Sequence, residues 1–400
     1  MAEQRRLYLF TANYPYDSAE TFLEDEISFL AEAFEQVIIT PLYGQQRSRV
    51  TPPNCVVYEP ILPLSSWKRY IAVPHSAKAL KLHAGEFFAR NVWSSFRRLK
   101  AWALSYLHSC HILHSTTAQR VLSEITPNDI CYFYWGKGLN LLALLSKIDC
   151  PKVCRFHGEW DLWEESCGDY APLRERLSKK LDLALFISER GKEYYNTKYP
   201  NNRLALSRLG AKDYGLAERS SDGKLRIVSC SAVYPLKRVP LILQAIKSID
   251  RYEVEWTHIG GGCDFAQLEQ LATEAMAENP RLKIALLGQQ SHDAVIDYYR
   301  THQVDLFINM STNEGIPVTI MEAISFGIPA IATNVGGTAE IVNEQTGVLL
   351  SANPSLDEIV EAIYTAKESS LDPRGYWDAH YNAARNYTEF CEIIKSTTIR

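Results

Sequence analysis

The fifteen residues NMSTNEGIPVTIMEA, at positions 309–323, lie between an apolar strand pattern and a helical pattern. Pro317 suits the first position of that helix, and Gly315 lets the backbone approach a ligand closely. The free N–H groups of a first helical turn, together with the positive end of the helix dipole, bind phosphate. The stretch therefore predicts a strand–loop–helix unit that carries an anion site.

The same alternation of short apolar runs and longer helical patterns continues in both directions along the 400 residues. Alternating strands and helices are typical of parallel sheets covered by helices, so the pattern predicts an α/β fold. Thirteen strands are expected. They are Leu7–Ala12, Val37–Leu42, Cys55–Pro60, Ile130–Tyr134, Val153–His157, Leu183–Ile187, Leu204–Leu209, Arg226–Cys230, Val254–Gly260, Lys283–Gly288, Leu306–Asn309, Ala330–Thr333 and Val348–Leu350.

The apolar pattern lapses between positions 210 and 224, where polar residues and turn formers predict a linker. We expect an N-terminal domain over residues 1–212 and a C-terminal domain over residues 224–372, with the active site between them. The tail has a helical pattern, and its part from about 378 to 400 is expected to pack back on the first domain.

Composition narrows the class of protein. The chain is 46% hydrophobic with a formal net charge of −5, which supports ordinary cores and gives no basic field for nucleic acid. Nine scattered cysteines without paired CxxC sets indicate neither a disulfide framework nor a zinc site. The first apolar run is too short for a signal peptide, and no stretch reaches the roughly 18 apolar residues of a spanning helix. A cytoplasmic protein without a nucleic-acid partner is expected.

Two glutamates occupy the opening stretch, Glu314 in the loop and Glu322 inside the helix, about 12 Å apart along the chain. Carboxylates accept hydrogen bonds from hydroxyls, which suits a sugar at one end of a diphosphate and a ribose at the other. Two glutamates at arbitrary spacing are more often part of an ordinary solvated helix start. The surrounding residues are needed to decide between these interpretations.

Glu314 and Glu322, with seven residues between them, resemble the donor-site signature of the family-four retaining glycosyltransferases, which belong to the group 1 glycosyltransferases. The further residues that carry the resemblance are Gly315, Pro317, Ala323, Gly327, Pro329, Gly336, Gly337, Glu340 and Gly347. The similarity covers most of residues 225–365. It implies the GT-B fold, in which two Rossmann-like α/β domains face each other across a cleft.

The resemblance also implies a nucleotide-diphosphate sugar as donor. Glu314 then contacts hydroxyls of the donor sugar, Glu322 contacts the ribose, and backbone amides meet the diphosphate. The segment that carries those amides comprises Gly315, Ile316, Pro317, Val318 and Thr319, of which the proline has no N–H.

Lys237 matches the lysine of the family's phosphate clamp, but the usual arginine falls near Ser231 and is absent. Either Arg238 substitutes for it or the diphosphate is held with one fewer cation. Solvated surface charges are the alternative for both basic residues. Gly288 and Gln289 stand where the family meets the nucleotide base through backbone groups, so the base cannot be read from the sequence.

Acceptor-side candidates lie in the first half. His157 ends a strand and resembles the family's histidine near the reacting sugar, with Asp161 as a neighbour; a structural histidine is the alternative. Glu20 and Thr21 stand at a helix start where related enzymes often carry a glycine-rich loop, but those glycines are missing here. Helix capping explains these two residues equally well.

Residues 61–110 contain eight Lys or Arg and a single acidic residue, Glu86. A helix through this region is expected to have one apolar face opposite a basic one. The apolar face comprises Phe88, Val92, Phe96, Leu99, Ala103 and Tyr106, the basic face Arg90, Arg97 and Arg98, and Trp67, Trp93 and Trp102 lie nearby. This composition suits an anionic membrane surface or a lipid-diphosphate acceptor. An ordinary core helix with a solvated basic face is the alternative.

The predicted function is retaining transfer of a sugar to a glycan or polyprenyl-diphosphate-linked glycan in bacterial surface polysaccharide biosynthesis, peripheral on the inner face of the cytoplasmic membrane. The resemblance implies a metal-independent reaction without a cofactor, with Glu314, His157 and Lys237 as catalytic residues. A GT-B epimerase or phosphorylase, and an inactive glycan-binding protein, are alternatives. Both glutamates are retained, which argues against the inactive protein. No complete GxGxxG follows the first strand, which argues against a dinucleotide oxidoreductase.

Overall fold

A computed structural model describes residues 5–17, 20, 22–62, 74–200 and 203–399. The chain divides into two compact units, of which the first comprises Met1–Ser207 with Tyr387–Arg400 and the second Arg208–Asn386. Each unit is built on one parallel β-sheet accompanied by helices, as the alternating pattern predicts.

All thirteen predicted strands are present, each within a few residues of its expected bounds. In the first unit they are β1 (Arg6–Thr11), β2 (Gln36–Pro41), β3 (Cys55–Val57), β4 (Ile130–Phe133), β5 (Lys152–Phe156), β6 (Leu183–Phe186) and β7 (Leu204–Leu206). In the second unit they are β8 (Leu225–Cys230), β9 (Val254–Ile259), β10 (Leu282–Leu286), β11 (Leu306–Asn309), β12 (Ala330–Thr333) and β13 (Gly347–Leu350).

Helices connect these strands. In the described part of the first half they are Leu23–Ala33, Ala77–Ala89, Phe96–His114, Thr116–Glu124, Leu142–Leu145, Glu159–Leu162, Arg174–Ser178 and Glu189–Lys198. In the second half they are Val239–Lys247, Phe265–Glu278, His292–Thr301, Val318–Ser325, Leu356–Glu368, Pro373–His380 and Ala383–Lys395. Short 3-10 turns lie at Val92–Ser94, Leu139–Leu141, Glu165–Cys167, Pro235–Lys237 and Thr338–Glu340. Within the residues that the structure describes, every helix is too short or too polar to span a bilayer.

The sheets are ordered β3-β2-β1-β4-β5-β6-β7 and β10-β9-β8-β11-β12-β13, and their strands are parallel. In each sheet the strand order reverses beside the first strand of the unit, between β1 and β4 and between β8 and β11. Open parallel sheets bind ligands outside the carboxyl ends of their strands at such switch points. The loops that leave these four strands are therefore the places where ligand sites are expected.

The end of the chain is part of the core of the first unit. Phe390 and Ile394 are fully buried in the same cluster as Leu9 of β1. The buried guanidinium of Arg155 lies 4.0 Å from the ring centre of Phe390 and pairs with Glu26 at 2.5 Å. Removing one partner of such a buried pair costs roughly 3–5 kcal/mol, so this contact ties the last helix to the sheet.

The segment at 210–224, which the sequence predicts to be a linker, lies in the second unit. Asp213 pairs with Arg374 at 2.6 Å, and the N–H of Ala217 donates to the carbonyl of Phe326 at 3.0 Å. Polar residues in this stretch bond to the surface of the second unit, so the apolar pattern lapses there. The segment is therefore part of that unit rather than a free linker.

The prediction of one helix with a single apolar face between Phe88 and Tyr106 is wrong. Asn91 takes a left-handed conformation with φ +48° between the helices Ala77–Ala89 and Phe96–His114. A residue in that conformation ends a helix. Because the helix breaks there, Val92 is buried whereas Phe88, Trp93 and Phe96 are 68%, 55% and 80% exposed. Trp67, which the sequence places nearby, lies outside the described residues.

Candidate functional site

Lys237 and Glu314 make a direct ion pair at the switch point of the second sheet. They come from the loops that follow the neighbouring strands β8 and β11, and their Nζ and Oε1 atoms lie 2.6 Å apart. Asn309 Nδ2 donates to the same carboxylate oxygen at 3.2 Å. The side chains of Lys237 and Glu314 are only 16% and 9% exposed, so the lysine is not the solvated surface charge of the alternative interpretation.

The glycines of the 336–337 turn hold the Glu314 loop in place. Gly336 has φ +54°, and a Cβ at that position would lie 1.7 Å from the carbonyl oxygen of Glu314. Gly337 donates its N–H to the carbonyl of Gly315 at 2.7 Å. Only glycine permits this approach, because any larger residue at 336 would displace the loop that carries Glu314.

The helix after this loop begins at Val318, and Pro317 is its N-cap residue rather than its first helical residue. Ile316 is buried below the loop, while Val318 and Thr319 are half-buried. The first N–H groups of a helix have no partner within the helix. Gly315, Ile316, Val318 and Thr319 therefore present backbone donors beside the Lys237–Glu314 pair, as an anion site requires.

Arg238 is turned towards the protein backbone. Its guanidinium donates to the carbonyls of Met310 at 2.5 Å, Ser311 at 3.1 Å and Ala352 at 2.9 Å. Burial lowers the pKa of this arginine below its ordinary value. These bonds brace the Lys237 loop against the loop after β11, and contact of Arg238 with a diphosphate stays a prediction.

Glu322 is paired with a histidine that the sequence reasoning missed. Its Oε1 lies 3.0 Å from Nε2 of His292, and the glutamate side chain is 10% exposed. His292 is the first residue of the helix His292–Thr301, whose cap is Ser291. Its position at the start of the helix after β10 places His292 at the carboxyl ends of the parallel strands. Its pairing with Glu322 depends on the order of those strands. Burial, with the nearby charge of Glu322, raises the pKa of Cys230 to about 12.

Gly288 and Gln289 lie in the loop between β10 and that helix. Gly288 has φ +64°, and its carbonyl accepts the N–H of Gly260 at 2.9 Å. A Cβ on Gly260 would lie 1.9 Å from the carbonyl oxygen of Ser231. Close packing of the loops after β8, β9 and β10 thus explains the glycine run that starts at Gly260, while Gln289 is exposed at their surface.

In the first unit, His157 lies among aromatic rings at the end of β5. Its ring centre is 4.5 Å from that of Tyr134 and 4.4 Å from that of Trp135. Within the described parts of the chain neither ring nitrogen has a hydrogen-bond partner, although the histidine is buried. The carboxylate of Asp161 accepts the backbone N–H groups of Gly136, His157 and Gly158 at 3.0–3.2 Å, so Asp161 fixes the turn that carries the histidine.

Glu20 organises the loop that follows β1. Its carboxylate accepts the backbone N–H groups of Ala12, Asn13 and Tyr14 at 3.1, 2.5 and 2.6 Å, and it also accepts the indole N–H of Trp135. The glutamate is 7% exposed. Its bonds replace the missing glycines as the means of shaping this loop. Thr21 lies outside the described residues.

A cavity of about 680 Å³ lies at the switch point of the first sheet, and the sequence reasoning did not find it. Its walls come from the ends of β1 and β4, from the helix Phe96–His114 and from the segment 163–177. The lining includes Tyr43, Arg97, Lys100, Trp135, Lys137, Asn140, Trp163 and Arg174. These residues come from separate segments of the sequence, and no local pattern connects the segments.

Comparison with known sequences finds a family match within the second unit. Residues 217–383 match the family described as glycosyl transferases group 1. N-acetyl-alpha-D-glucosaminyl L-malate synthase of Bacillus anthracis is 26% identical over 162 residues, which are 40% of each chain. The lipopolysaccharide core biosynthesis mannosyltransferase LpsB of Rhizobium meliloti is 33% identical over 109 residues, 26% of this chain and 27% of its own. The match to the first of these relatives spans about two fifths of its length.

Comparison with solved structures extends over both units. The lipopolysaccharide outer core galactosyltransferase WaaB has a TM-score of 0.66 at 15% identity, covering 98% of this chain and 99% of its own. Anabaena Alr3699/HepE, solved in complex with UDP and glucose, has a TM-score of 0.64 at 15% identity, with coverage of 98% and 99%. These similarities confirm the predicted GT-B class of fold, with two Rossmann-like α/β domains.

Proposed function

Because residues 217–383 match the family of group 1 glycosyl transferases, we propose that the protein transfers a sugar from a nucleotide-diphosphate sugar to a glycan or lipid-linked glycan, with retention of anomeric configuration. The observation that carries this proposal is the buried Lys237–Glu314 pair beside the N-terminus of the helix Val318–Ser325. At this switch point the protein offers a cation for the charge of the diphosphate, a carboxylate for the sugar hydroxyls and free backbone amides for the phosphate oxygens.

Each partner of the pair has a distinct task in the reaction. The ammonium of Lys237 has three donors, so it can hold Glu314 and still donate to a phosphate oxygen. Its charge stabilises the negative charge that develops on the diphosphate as the bond to the sugar breaks. Both protein bonds to Glu314 fall on Oε1, which leaves Oε2 for a sugar hydroxyl.

The acceptor hydroxyl attacks the anomeric carbon on the face that the diphosphate leaves, so the configuration is retained. Its proton passes to an oxygen of the departing phosphate, and no side chain is assigned as general base. Glu322, held by His292, accepts hydrogen bonds from the ribose. His157, on the first unit, donates to the reacting sugar or acceptor through a ring nitrogen that has no partner in the described structure.

The comparisons favour particular substrates. Anabaena Alr3699/HepE was solved with UDP and glucose, so uridine diphosphate sugars are the first donors to test. WaaB and LpsB are named for lipopolysaccharide core synthesis, which supports an acceptor in bacterial surface polysaccharide biosynthesis.

We place the enzyme in the cytoplasm, attached peripherally to the membrane. The exposed rings of Phe88, Trp93 and Phe96, termed the ring cluster, lie around the turn at Asn91. Exposed rings that enter the lipid boundary give reversible attachment. The turn at Asn91 supports this surface because it leaves the rings outside the core.

A panel of uridine, guanosine and adenosine diphosphate sugars tests the proposal by calorimetric binding and by NMR of the products. With a glycan acceptor present, we expect one donor to bind and to yield a glycoside with the anomeric configuration of the donor. Epimerisation of the sugar nucleotide, release of sugar phosphate with inorganic phosphate, or glycan binding without turnover would support the alternative functions. Failure of every nucleotide sugar to bind would overturn the proposal.

A further inference from the structure

The cavity of the first unit is lined by positive charge. Arg97, Lys100, Lys137 and Arg174 contribute to its walls, and none of its described lining residues is aspartate or glutamate. The chain as a whole has a net charge of −5, so this excess of cations is local. A concave surface with one sign of charge attracts ligands of the opposite sign.

Two buried polar groups in the wall lack partners. Arg174 is 5% exposed and donates through Nη2 to the carbonyl of Asp161 at 2.6 Å, but its Nη1 has no hydrogen-bond partner among the described residues. Asn140 is 2% exposed, and in the same part of the structure nothing donates to its Oδ1. Buried polar groups are nearly always paired, so this unpaired donor and unpaired acceptor are unusual, and both belong to residues that line the cavity.

The remaining wall is largely aromatic and aliphatic. The rings of Tyr43, Trp135 and Trp163 line the cavity, and its volume of about 680 Å³ lies within the range of small-molecule sites. Rings supply apolar surface for the C–H faces of a pyranose, while the few polar groups orient its hydroxyls. The cavity therefore fits a sugar of one or two rings that carries an anion.

We propose that this cavity binds the acceptor and that the acceptor sugar itself is negatively charged, with a carboxylate or phosphate on its ring. Arg97 and Lys100, both on the helix Phe96–His114, meet the anion. In the complex, rotation of the two side chains brings Arg174 Nη1 to an oxygen of the sugar and Asn140 Oδ1 to one of its hydroxyls. This inference rests on the proposed transfer reaction and specifies the chemical class of its acceptor.

Binding of a hexuronic acid, a hexose 6-phosphate and the corresponding neutral hexose to the full chain tests the proposal by calorimetry. We expect both anionic sugars to bind at least about tenfold more tightly than the neutral one, as hydrogen bonds to charged groups allow. The double variant Arg97→Gln/Lys100→Gln should reduce that preference about fivefold, because both residues are exposed. Its UDP affinity should not change.

The double variant Lys78→Gln/Lys81→Gln is the matched control. It removes the same two positive charges from exposed positions on the helix Ala77–Ala89, outside the cavity lining, and should keep the full preference. Asn140→Ala should weaken the binding of all three sugars alike, since its acceptor serves a hydroxyl. Circular dichroism checks that each variant is folded.

Equal binding of charged and neutral sugars, or equal effects of the two double variants, would overturn the inference. The last ligand tested by calorimetry is a neutral sugar linked to a short polyprenyl diphosphate. If the charge preference appears only with this ligand, the anion belongs to the lipid diphosphate and the charged-sugar proposal fails. Because these are direct binding measurements, they remain informative if no nucleotide sugar binds, an outcome that removes the proposed function alone.

Discussion

At the carboxyl edge of the second sheet, Lys237 and Glu314 hold each other at 2.6 Å, and His292 holds Glu322 at 3.0 Å. At the corresponding edge of the first sheet, buried polar atoms of Asn140, His157 and Arg174 have no hydrogen-bond partner within the described structure. At these residues the charges of the second unit are paired and the polar atoms of the first unit are not, although among the described residues Ser311 Oγ after β11 is unpartnered as well.

The difference bears on how each edge meets a ligand. Paired charges are already oriented, so a donor of fixed chemistry binds without reorganising them. Unpaired buried groups each cost about 1–3 kcal/mol, and a ligand that pairs with them recovers this free energy on binding. We therefore expect the second unit to bind a single type of nucleotide-diphosphate sugar. We expect the first unit to select its acceptor by the hydrogen bonds that the acceptor's polar groups make.

The largest effect on turnover is expected from breaking the pair in the second unit. Glu314→Ala removes the carboxylate that we propose contacts the donor sugar, and loss of a hydrogen bond to a charged group costs roughly 1.5–3 kcal/mol, or about one to two decades in kcat. Glu344→Ala, an exposed glutamate of the same unit, is the control. Near-normal turnover of a folded Glu314→Ala protein would remove Glu314 from the reaction.

The exposed rings of the first unit predict a large effect on membrane attachment. The triple variant Phe88→Ser, Trp93→Ser and Phe96→Ser should bind anionic vesicles at least about tenfold more weakly in a sedimentation assay, because the rings no longer enter the lipid boundary. Leu216→Ser/Leu356→Ser removes exposed leucines of the second unit and should leave binding intact. If the native chain ignores such vesicles at low salt, the ring cluster has another role.

His292→Ala should weaken binding of the donor rather than slow the chemical step. Without the histidine at 3.0 Å, Glu322 loses the contact that holds its carboxylate. Because we propose that this carboxylate binds the ribose, the Kd for the nucleoside diphosphate should rise about three- to tenfold with little change in kcat. His302→Ala, at the other end of the same helix, is the matched control. An equal fall in kcat at unchanged Kd would contradict this assignment.

The sequence could predict the second edge far better than the first, for physical reasons. In the second unit Glu314, Gly315, Pro317 and Glu322 lie on one strand–loop–helix unit, so a local pattern contains most of the site. Lys237 follows the strand beside it. His292 was missed because its contact with Glu322 depends on strand order, which a single sequence does not state.

The first edge is assembled from distant segments. Asn140, Arg174 and Lys100 belong to three separate helical segments, and only the folded sheet brings them to one cavity. The strands were predicted because buried parallel strands are apolar runs that a sequence shows directly. The broken helix at Asn91 was not, because the apolar spacing around it also fits a continuous helix.

A buried histidine in the second unit gives a smaller, pH-dependent effect. His258 is fully buried with Nδ1 2.8 Å from Ser229 Oγ, and burial lowers its pKa to about 4. Since the unfolded histidine titrates near 6.5, the unfolded chain binds more protons between these values, and stability falls as pH decreases. We expect the second unit to lose about 1 kcal/mol between pH 6.5 and 5.5.

Urea unfolding of the native chain and of His258→Gln at both pH values measures this contribution, because other titrating groups cancel in the difference. The variant should show a shallower decline in stability on acidification. Identical pH slopes in the two proteins would show that His258 does not titrate as its burial requires.

The smallest expected effect is that of chelation. No Asp-x-Asp sequence accompanies the donor motif, and Lys237 with the amides of Gly315 through Thr319 supplies positive charge beside the expected diphosphate. Initial rates should therefore be the same in millimolar EDTA as in buffer, whereas Lys237→Ala should lower them under both conditions because it removes the cation that stabilises the leaving group. Manganese added after EDTA provides the decisive comparison. If EDTA abolishes activity and manganese restores it, a metal ion neutralises the diphosphate. The site of the second unit would then be incomplete without a bound ligand, as we infer for the cavity of the first unit.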